Sequence, residues 1–205
     1  MITIIDYGMG NLRSIQNKLE RIKVQTTISS NLRDIEKAEK LILPGVGAFG
    51  NGMKNLQDSG LISILNEKVK EQHIPILGIC LGMQLFCTKS EEGNVNGLGW
   101  INAETKRFNF ENLPDILRIP HMGWNTIKIK SNDSLLDRIL DGSRFYFVHS
   151  YHIDQEATQY TIATAHYGYD FPAIIHSDNI WGTQFHPEKS HQAGLQILRN
   201  FAEKI

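Results

Sequence analysis

The sequence predicts an α/β fold, a mixed and mostly parallel central sheet with helices on both faces. Two observations carry that expectation. The first half alternates short β-rich runs with helical periodicity in a β-α-β-α-β order. The third of those runs, residues 74–79, is continuously apolar, as strands of a parallel sheet covered on both faces are.

Taken in order, residues 2–7 form a strand, and Gly8-Met-Gly10 turns the chain. Leu12, Ile15, Leu19 and Ile22 then recur at helical spacing on one face. Leu41, Ile42 and Leu43 make a second buried strand, ended by Pro44-Gly-Val-Gly47. Residues 53–72 read as mostly helical, with Leu61, Leu65 and Val69 on one stripe. After the strand at 74–79, residues 81–87 read as a helix with Cys87 in its core. The second half is richer in strand-like stretches: 124–129, 145–151, 160–166 and 173–176. The last joins 180–185 through the turn Ser177-Asp-Asn179, and strands so closely spaced imply an antiparallel or mixed extension of the sheet. An amphipathic helix from about His191, carrying Leu195, Leu198 and Phe201, closes the chain.

With 205 residues and no repeat, low-complexity tract or Pro/Ser-rich linker, one domain spanning 1–205 is expected. Hydrophobic residues at 41% and charged residues at 21% are ordinary for a soluble globular protein. The 21 basic and 22 acidic residues form no block of like charge, which argues against nucleic acid or an anionic membrane as partner. No apolar run approaches the roughly 18 residues of a membrane span. Two cysteines, and no basic leader before the first strand, point to a reducing, cytoplasmic setting.

The most informative stretch is Gly78-Ile-Cys80-Leu-Gly82-Met-Gln84. An apolar strand runs into Gly-x-Cys-x-Gly and then a helix, the arrangement of a nucleophile elbow with cysteine in place of serine. A tight strand-to-helix turn leaves no room for β-carbons two residues to either side. The sulfur would stand above the sheet's carboxyl edge at the positive end of a helix, whose dipole favours thiolate. The N–H of Leu81 is the natural first oxyanion donor. The competing reading is a buried core thiol, which is what free cysteines usually are; Cys87, without a glycine frame, keeps that reading.

A thiol nucleophile needs a base, and the base needs an acceptor that fixes its tautomer. Gly182-Thr-Gln-Phe-His186-Pro-Glu188 supplies both. In extended chain, residues two apart project to one side, so His186 and Glu188 can point together, with Pro187 favouring that form. A metal site would need a further ligand at suitable spacing, and none lies nearby, so no metal is expected.

These two motifs, in this order and at this separation, closely resemble those of the class I, triad-type glutamine amidotransferases. Further matching stretches span almost the whole chain: Asp6-Tyr-Gly-Met-Gly-Asn11, Pro44-Gly-Val-Gly47, Pro120-His-Met-Gly-Trp-Asn125, Tyr146-Phe-Val-His-Ser-Tyr151 and His186-Pro-Glu-Lys-Ser190. The resemblance implies a flavodoxin-like fold and hydrolysis of L-glutamine to glutamate and ammonia through a thioester, with no cofactor. Cys80 would attack the carboxamide, His186 would carry the proton to ammonia, and Glu188 would orient His186. Gly47 and Leu81 would form the oxyanion hole, and Gln84, Glu92, Ser150 and Tyr151 would hold the amino-acid end of glutamine. Asn11, Trp124, Tyr146 and Lys189 would face a (β/α)₈-barrel cyclase that receives the ammonia in a heterodimer. The competing readings are a solvated surface acid for Glu92 and a core aromatic for Trp124. Relatives with the same motifs donate ammonia in bacterial surface-sugar biosynthesis, and a stand-alone cysteine hydrolase of related fold is a third reading.

Overall fold

The computed structural model describes residues 1–111 and 117–205. The chain runs through β1 (Ile2–Ile5), α1 (Leu12–Arg21), β2 (Thr26–Ser29), α2 (Leu32–Glu36), β3 (Lys40–Gly45), α3 (Phe49–Asp58) and α4 (Leu61–Asn66). A π-helical turn, Glu67–Glu71, leads to β4 (Ile76–Cys80) and the single-turn α5 (Leu81–Gln84). There follow β5 (Cys87–Ser90), β6 (Val95–Asn96), β7 (Ile101–Arg107), β8 (His121–Ile129), β9 (Arg144–His149) and β10 (Tyr151–Ile153). β11 (Thr161–Tyr167), β12 (Tyr169–Ser177) and β13 (Ile180–Thr183) precede a 3₁₀ turn, Pro187–Lys189, and the closing helix α6 (His191–Lys204).

A nine-stranded sheet has the order β2-β1-β3-β4-β13-β12-β11-β8-β9. It is parallel from β2 through β13 and antiparallel from there to β9. Period-two alternation sends neighbouring side chains to opposite faces. Ile4, Ile42, Leu77 and Ile79 join a core with Ile15 and Leu19 of α1 and Leu198 and Phe201 of α6. Ile5, Leu41, Leu43 and Ile76 join the other core, with Phe49 and Leu56 of α3 and Leu61 and Leu65 of α4. Helices on both faces of a mixed sheet match the expectation. No described helix is long and apolar enough to cross a membrane.

Several features differ from the sequence reading, among them the strand expected over 145–151, which splits into β9 and β10 of two different sheets. β2 and α2 lie between α1 and β3, where no element was anticipated; β2 is a half-exposed strand of Thr26, Thr27, Ile28 and Ser29 and carries little apolar signal. The helical stretch at 53–72 breaks at Gly60, whose φ of +68° ends one helix and starts the next. The helix expected over 81–87 lasts a single turn. The carbonyls of Leu85, Phe86 and Cys87 accept hydrogen bonds from Leu98, from Trp100 and Ile101, and from Gly99, so the helical ladder cannot continue. Cys87 therefore begins β5 in a second, four-stranded sheet of order β10-β7-β5-β6. It remains a fully buried thiol, and burial, reinforced by Glu104, pushes its pKa up.

Candidate active site

The register of the sheet assembles the site. On one side of β4, Gly45 lies opposite Cys80; on the other, Thr183 lies opposite Ile79, so Gln184 follows beside Cys80. The elbow is as tight as its glycines imply. A β-carbon on Gly78 would come within 2.5 Å of Phe86, and one on Gly82 within 1.8 Å of the Leu43 carbonyl oxygen. Cys80 itself adopts φ +54°, ψ −108°, a strained conformation for a residue with a side chain. Its sulfur is mostly buried, within 3.9 Å of the Val148 carbonyl.

Since α5 is one turn long, the helix dipole expected at the thiol is short. His186 is buried, and its Nδ1 lies 2.9 Å from Glu188 Oε1. The pair is not formed by strand alternation, because His186 is extended while Pro187–Lys189 is a 3₁₀ turn that swings Glu188 back under the ring. Burial alone would lower the His186 pKa. Negative charge at Cys80 and the Glu188 carboxylate outweigh it and push it up to about 10. The ring's other nitrogen, Nε2, is buried with no hydrogen-bond partner at ordinary geometry. Ser190 fixes the segment from behind, its hydroxyl donating to the His186 carbonyl (2.6 Å) and accepting from the Tyr146 N–H (3.0 Å). The His186 N–H in turn donates to the Tyr146 carbonyl at 2.9 Å.

Cys80, His186, Gly47, Leu81, Gln84, Glu92, Ser150 and Tyr151 all line one cleft of about 290 Å³, with Val46, Pro120, Val148 and His149. The catalytic, oxyanion and substrate-side residues read from the sequence thus surround one space, while Glu188 sits behind His186. Gly47 has φ +102°, a backbone state natural to glycine. Glu92 is no free surface acid: one carboxylate oxygen accepts from the Phe49 N–H at the start of α3, at 2.8 Å. A larger depression of about 620 Å³ around Phe108, Asn109 and Tyr169 contains no cysteine. Among the described residues no group of three or more His, Cys, Asp or Glu is placed to hold a metal ion.

Of the residues expected at a partner face, three form one cluster. Trp124 is 39% exposed, which removes it from the core, and sits edge-on to Tyr146 at 6.1 Å. The Lys189 ammonium lies 5.7 Å from the centre of the Tyr146 ring. His191, which sequence reasoning passed over, stacks on Trp124 at 4.9 Å. Asn11 lies at the start of α1, with no side-chain hydrogen bond at that cap, and α1 packs against the Pro187–Lys189 turn.

Tyr7 was also missed. Its buried hydroxyl donates to the Pro44 carbonyl at 2.7 Å, tying the segment after β1 to the end of β3, just before Gly47. Burial and the charge of Cys80 push its pKa up, so it stays a donor. Tyr7, His149 and Gln184 lie within the motifs and matching stretches, but local pattern gives none of them a role; each becomes a neighbour of the cleft only once the strands are paired.

Such a site can attack a carbonyl carbon with sulfur, protonate a leaving amine from an imidazolium, and offer backbone N–H groups to an oxyanion. Comparison with known proteins agrees. Residues 3–205 match the family described as "Glutamine amidotransferase class-I". The chain is 48% identical over 204 residues to the imidazole glycerol phosphate synthase subunit HisH 2 of Methanococcus maripaludis, covering all of both chains. It is 45% identical over 205 residues to the protein of the same name from Pseudomonas aeruginosa, again covering all of both. A solved structure titled "Crystal structure of glutamine amidotransferase" superposes with a TM-score of 0.76 at 18% identity, covering 99% of this chain and 98% of the other.

Proposed function

The chain belongs to the class I glutamine amidotransferases, and from that premise we propose that it is the glutaminase subunit of an imidazole glycerol phosphate synthase, acting as a single amidotransferase domain in the cytoplasm. The observation that carries the chemistry is the cleft shared by a strained Cys80 and a His186 whose far nitrogen is held by Glu188. Full-length identity to HisH subunits supports the pathway.

The Cys80 sulfur attacks the carboxamide carbon of glutamine, and the oxygen, now anionic, is held by the N–H groups of Leu81 and Gly47. As the C–N bond breaks, imidazolium His186 gives its Nε2 proton to the leaving nitrogen, and ammonia departs. Water then adds to the γ-glutamyl thioester, with neutral His186 taking its proton, and glutamate leaves as the thiolate reforms. Gln84, Glu92, Ser150 and Tyr151 hold the amino-acid end of the substrate. Ammonia released in water at neutral pH would mostly protonate and cease to be a nucleophile. It is passed instead to a docked cyclase, a (β/α)₈ barrel that closes the imidazole ring, bound across the face carrying Trp124, Tyr146, Lys189 and Asn11.

Glu188→Gln keeps an oxygen for His186 but removes its charge. Glutamate release is expected to fall on the order of 10²-fold, the usual worth of a well-placed acid–base partner. Because Glu188 helps hold the His186 pKa up, the alkaline limb of the pH–rate profile should move to lower pH in the variant. Full activity with an unmoved limb would remove Glu188 from the orienting role. Trp124→Ala is expected to weaken cyclase binding about tenfold or more in a titration of the two subunits, as loss of an aromatic anchor does. Unchanged affinity and unchanged coupling of glutamate release to ring closure would move the interface elsewhere.

The direct test is glutamate release by the purified chain, alone and with its cyclase and the cyclase's nucleotide ligand. Strong stimulation by the liganded histidine-pathway cyclase is expected. Relatives numbered as second copies in two organisms keep the surface-sugar role as the second reading. Stimulation by a cyclase-like partner from a sugar locus, and not by the histidine-pathway enzyme, would select it.

A further inference from the structure

The thiol of Cys80 has a second polar neighbour besides the Val148 carbonyl. Gln184, fully buried, points its side-chain nitrogen Nε2 at the sulfur from 3.7 Å. Whether a side-chain amide presents N–H or oxygen is decided by its hydrogen-bond network, and here a continuous chain decides it. The Tyr151 carbonyl can only accept, and it takes Gln84 Nε2 at 2.8 Å. The same Gln84 nitrogen donates its other proton to Gln184 Oε1 at 3.0 Å. That leaves Gln184 Nε2 for the sulfur. Flipping Gln184 alone would set two NH₂ groups against each other; flipping Gln84 would set two oxygens together.

The Tyr151 carbonyl is fixed from the other side too. It accepts from His149 Nδ1 at 2.8 Å, and His149 Nε2 lies 3.0 Å from His121 Nδ1. Burial holds both rings neutral, pushing His121 down to about 4 and His149 well below its ordinary value, with His121 itself a further cause for His149. A neutral His149 with its proton on Nδ1 must accept at Nε2, so His121 donates from Nδ1 and accepts at Nε2. The donor there is Asn125 Nδ2, 3.2 Å away. The orientation of Asn125 is set independently, by donation to the His166 carbonyl (2.8 Å) and acceptance from the Thr126 N–H (2.8 Å). Both ends of the chain therefore demand the same polarity.

We propose that Gln184 is the hydrogen-bond donor that holds the Cys80 sulfur as an aimed thiolate, with Gln84, the Tyr151 carbonyl and the His149–His121–Asn125 chain fixing its polarity. The proposal rests on Cys80 being the nucleophile. Gln184 touches the reacting atom, whereas His149, His121 and Asn125 are positioning residues, as is Gln84 toward Gln184 besides its place at the substrate. A carbonyl oxygen in place of that N–H would repel the thiolate. The substitution Gln184→Met removes the donor at nearly constant volume.

The test is alkylation of the full-length chain by iodoacetamide, read by mass at the peptide containing Cys80, a reaction that needs no glutamine site. At pH 7 the rate in Gln184→Met should fall about ten- to a hundredfold, the worth of a hydrogen bond to a charged group, and recover as pH rises. A merely structural role would lower the melting temperature without this pH signature. Gln84→Met leaves Gln184 in place but frees it to flip, so a smaller loss with the same recovery is expected. It decides the matter if Gln184→Met does not fold. Wild-type alkylation across the pH range in a folded variant would overturn the proposal. Glutaminase activity persisting in Cys80→Ala is a separate failure, that of the nucleophile assignment itself.

Discussion

Replacing Cys80 with alanine is expected to lower glutamate release by about 10⁴-fold or more, with or without the partner, since loss of a nucleophile removes the covalent route entirely. The alanine chain should still fold. Its smaller, apolar side chain vacates a cleft rather than the middle of a core, because Cys80 sits where the sheet opens on the 290 Å³ space. Partner binding should therefore survive, and so should ring closure when ammonium salts are supplied directly. Retention of glutamine-dependent activity in Cys80→Ala would sink the nucleophile reading. Cys87 could not substitute for it: that thiol is fully buried at the start of β5, held protonated by burial and by Glu104.

Gly82→Ala should give the largest loss of stability. The added methyl would sit 1.8 Å from the Leu43 carbonyl oxygen, a backbone atom of β3 that cannot rotate out of the way. Either α5 moves off the sheet or β3 bends. Overpacking against backbone costs on the order of 3 kcal/mol, which for a chain of this size corresponds to a fall in Tm of about 6–12 °C. Because α5 begins at the residue after the nucleophile, glutaminase activity should fall with it. A melting temperature within about 2 °C of wild type, with full activity, would show that α5 slides freely and that the elbow is not under steric control.

Legibility in the sequence followed distance along the chain. The elbow and the His186–Glu188 pair could be read because each is set by neighbours within a few residues. Even there the route was partly wrong, since Glu188 reaches His186 through a 3₁₀ turn. The parallel half of the sheet was legible from its apolar runs. The four-stranded sheet was not, because Cys87–Ser90 and Val95–Asn96 are short and largely polar and acquire strand character only by pairing. The helix drawn across residues 81–87 failed for the same reason: its end is dictated by donors from residues 98–101. Gln184, His149 and Tyr7 owe their places to strand register and to contacts 28 to 104 residues distant, which periodicity cannot supply.

One feature of the sheet bears on how the chain stays dispersed. The nine-stranded order ends on β9, and a terminal strand normally offers its free N–H and C=O groups to any other strand that meets it. Here part of that row is already occupied. Tyr146 gives its N–H to Ser190 and its carbonyl to His186, and the Val148 carbonyl faces the Cys80 thiol. The segment that carries the chemistry thus doubles as the guard of an aggregation-prone border. Lesions that dislodge residues 186–190 should cost the cell more than turnover, because they would uncover a strand ready to recruit its own kind.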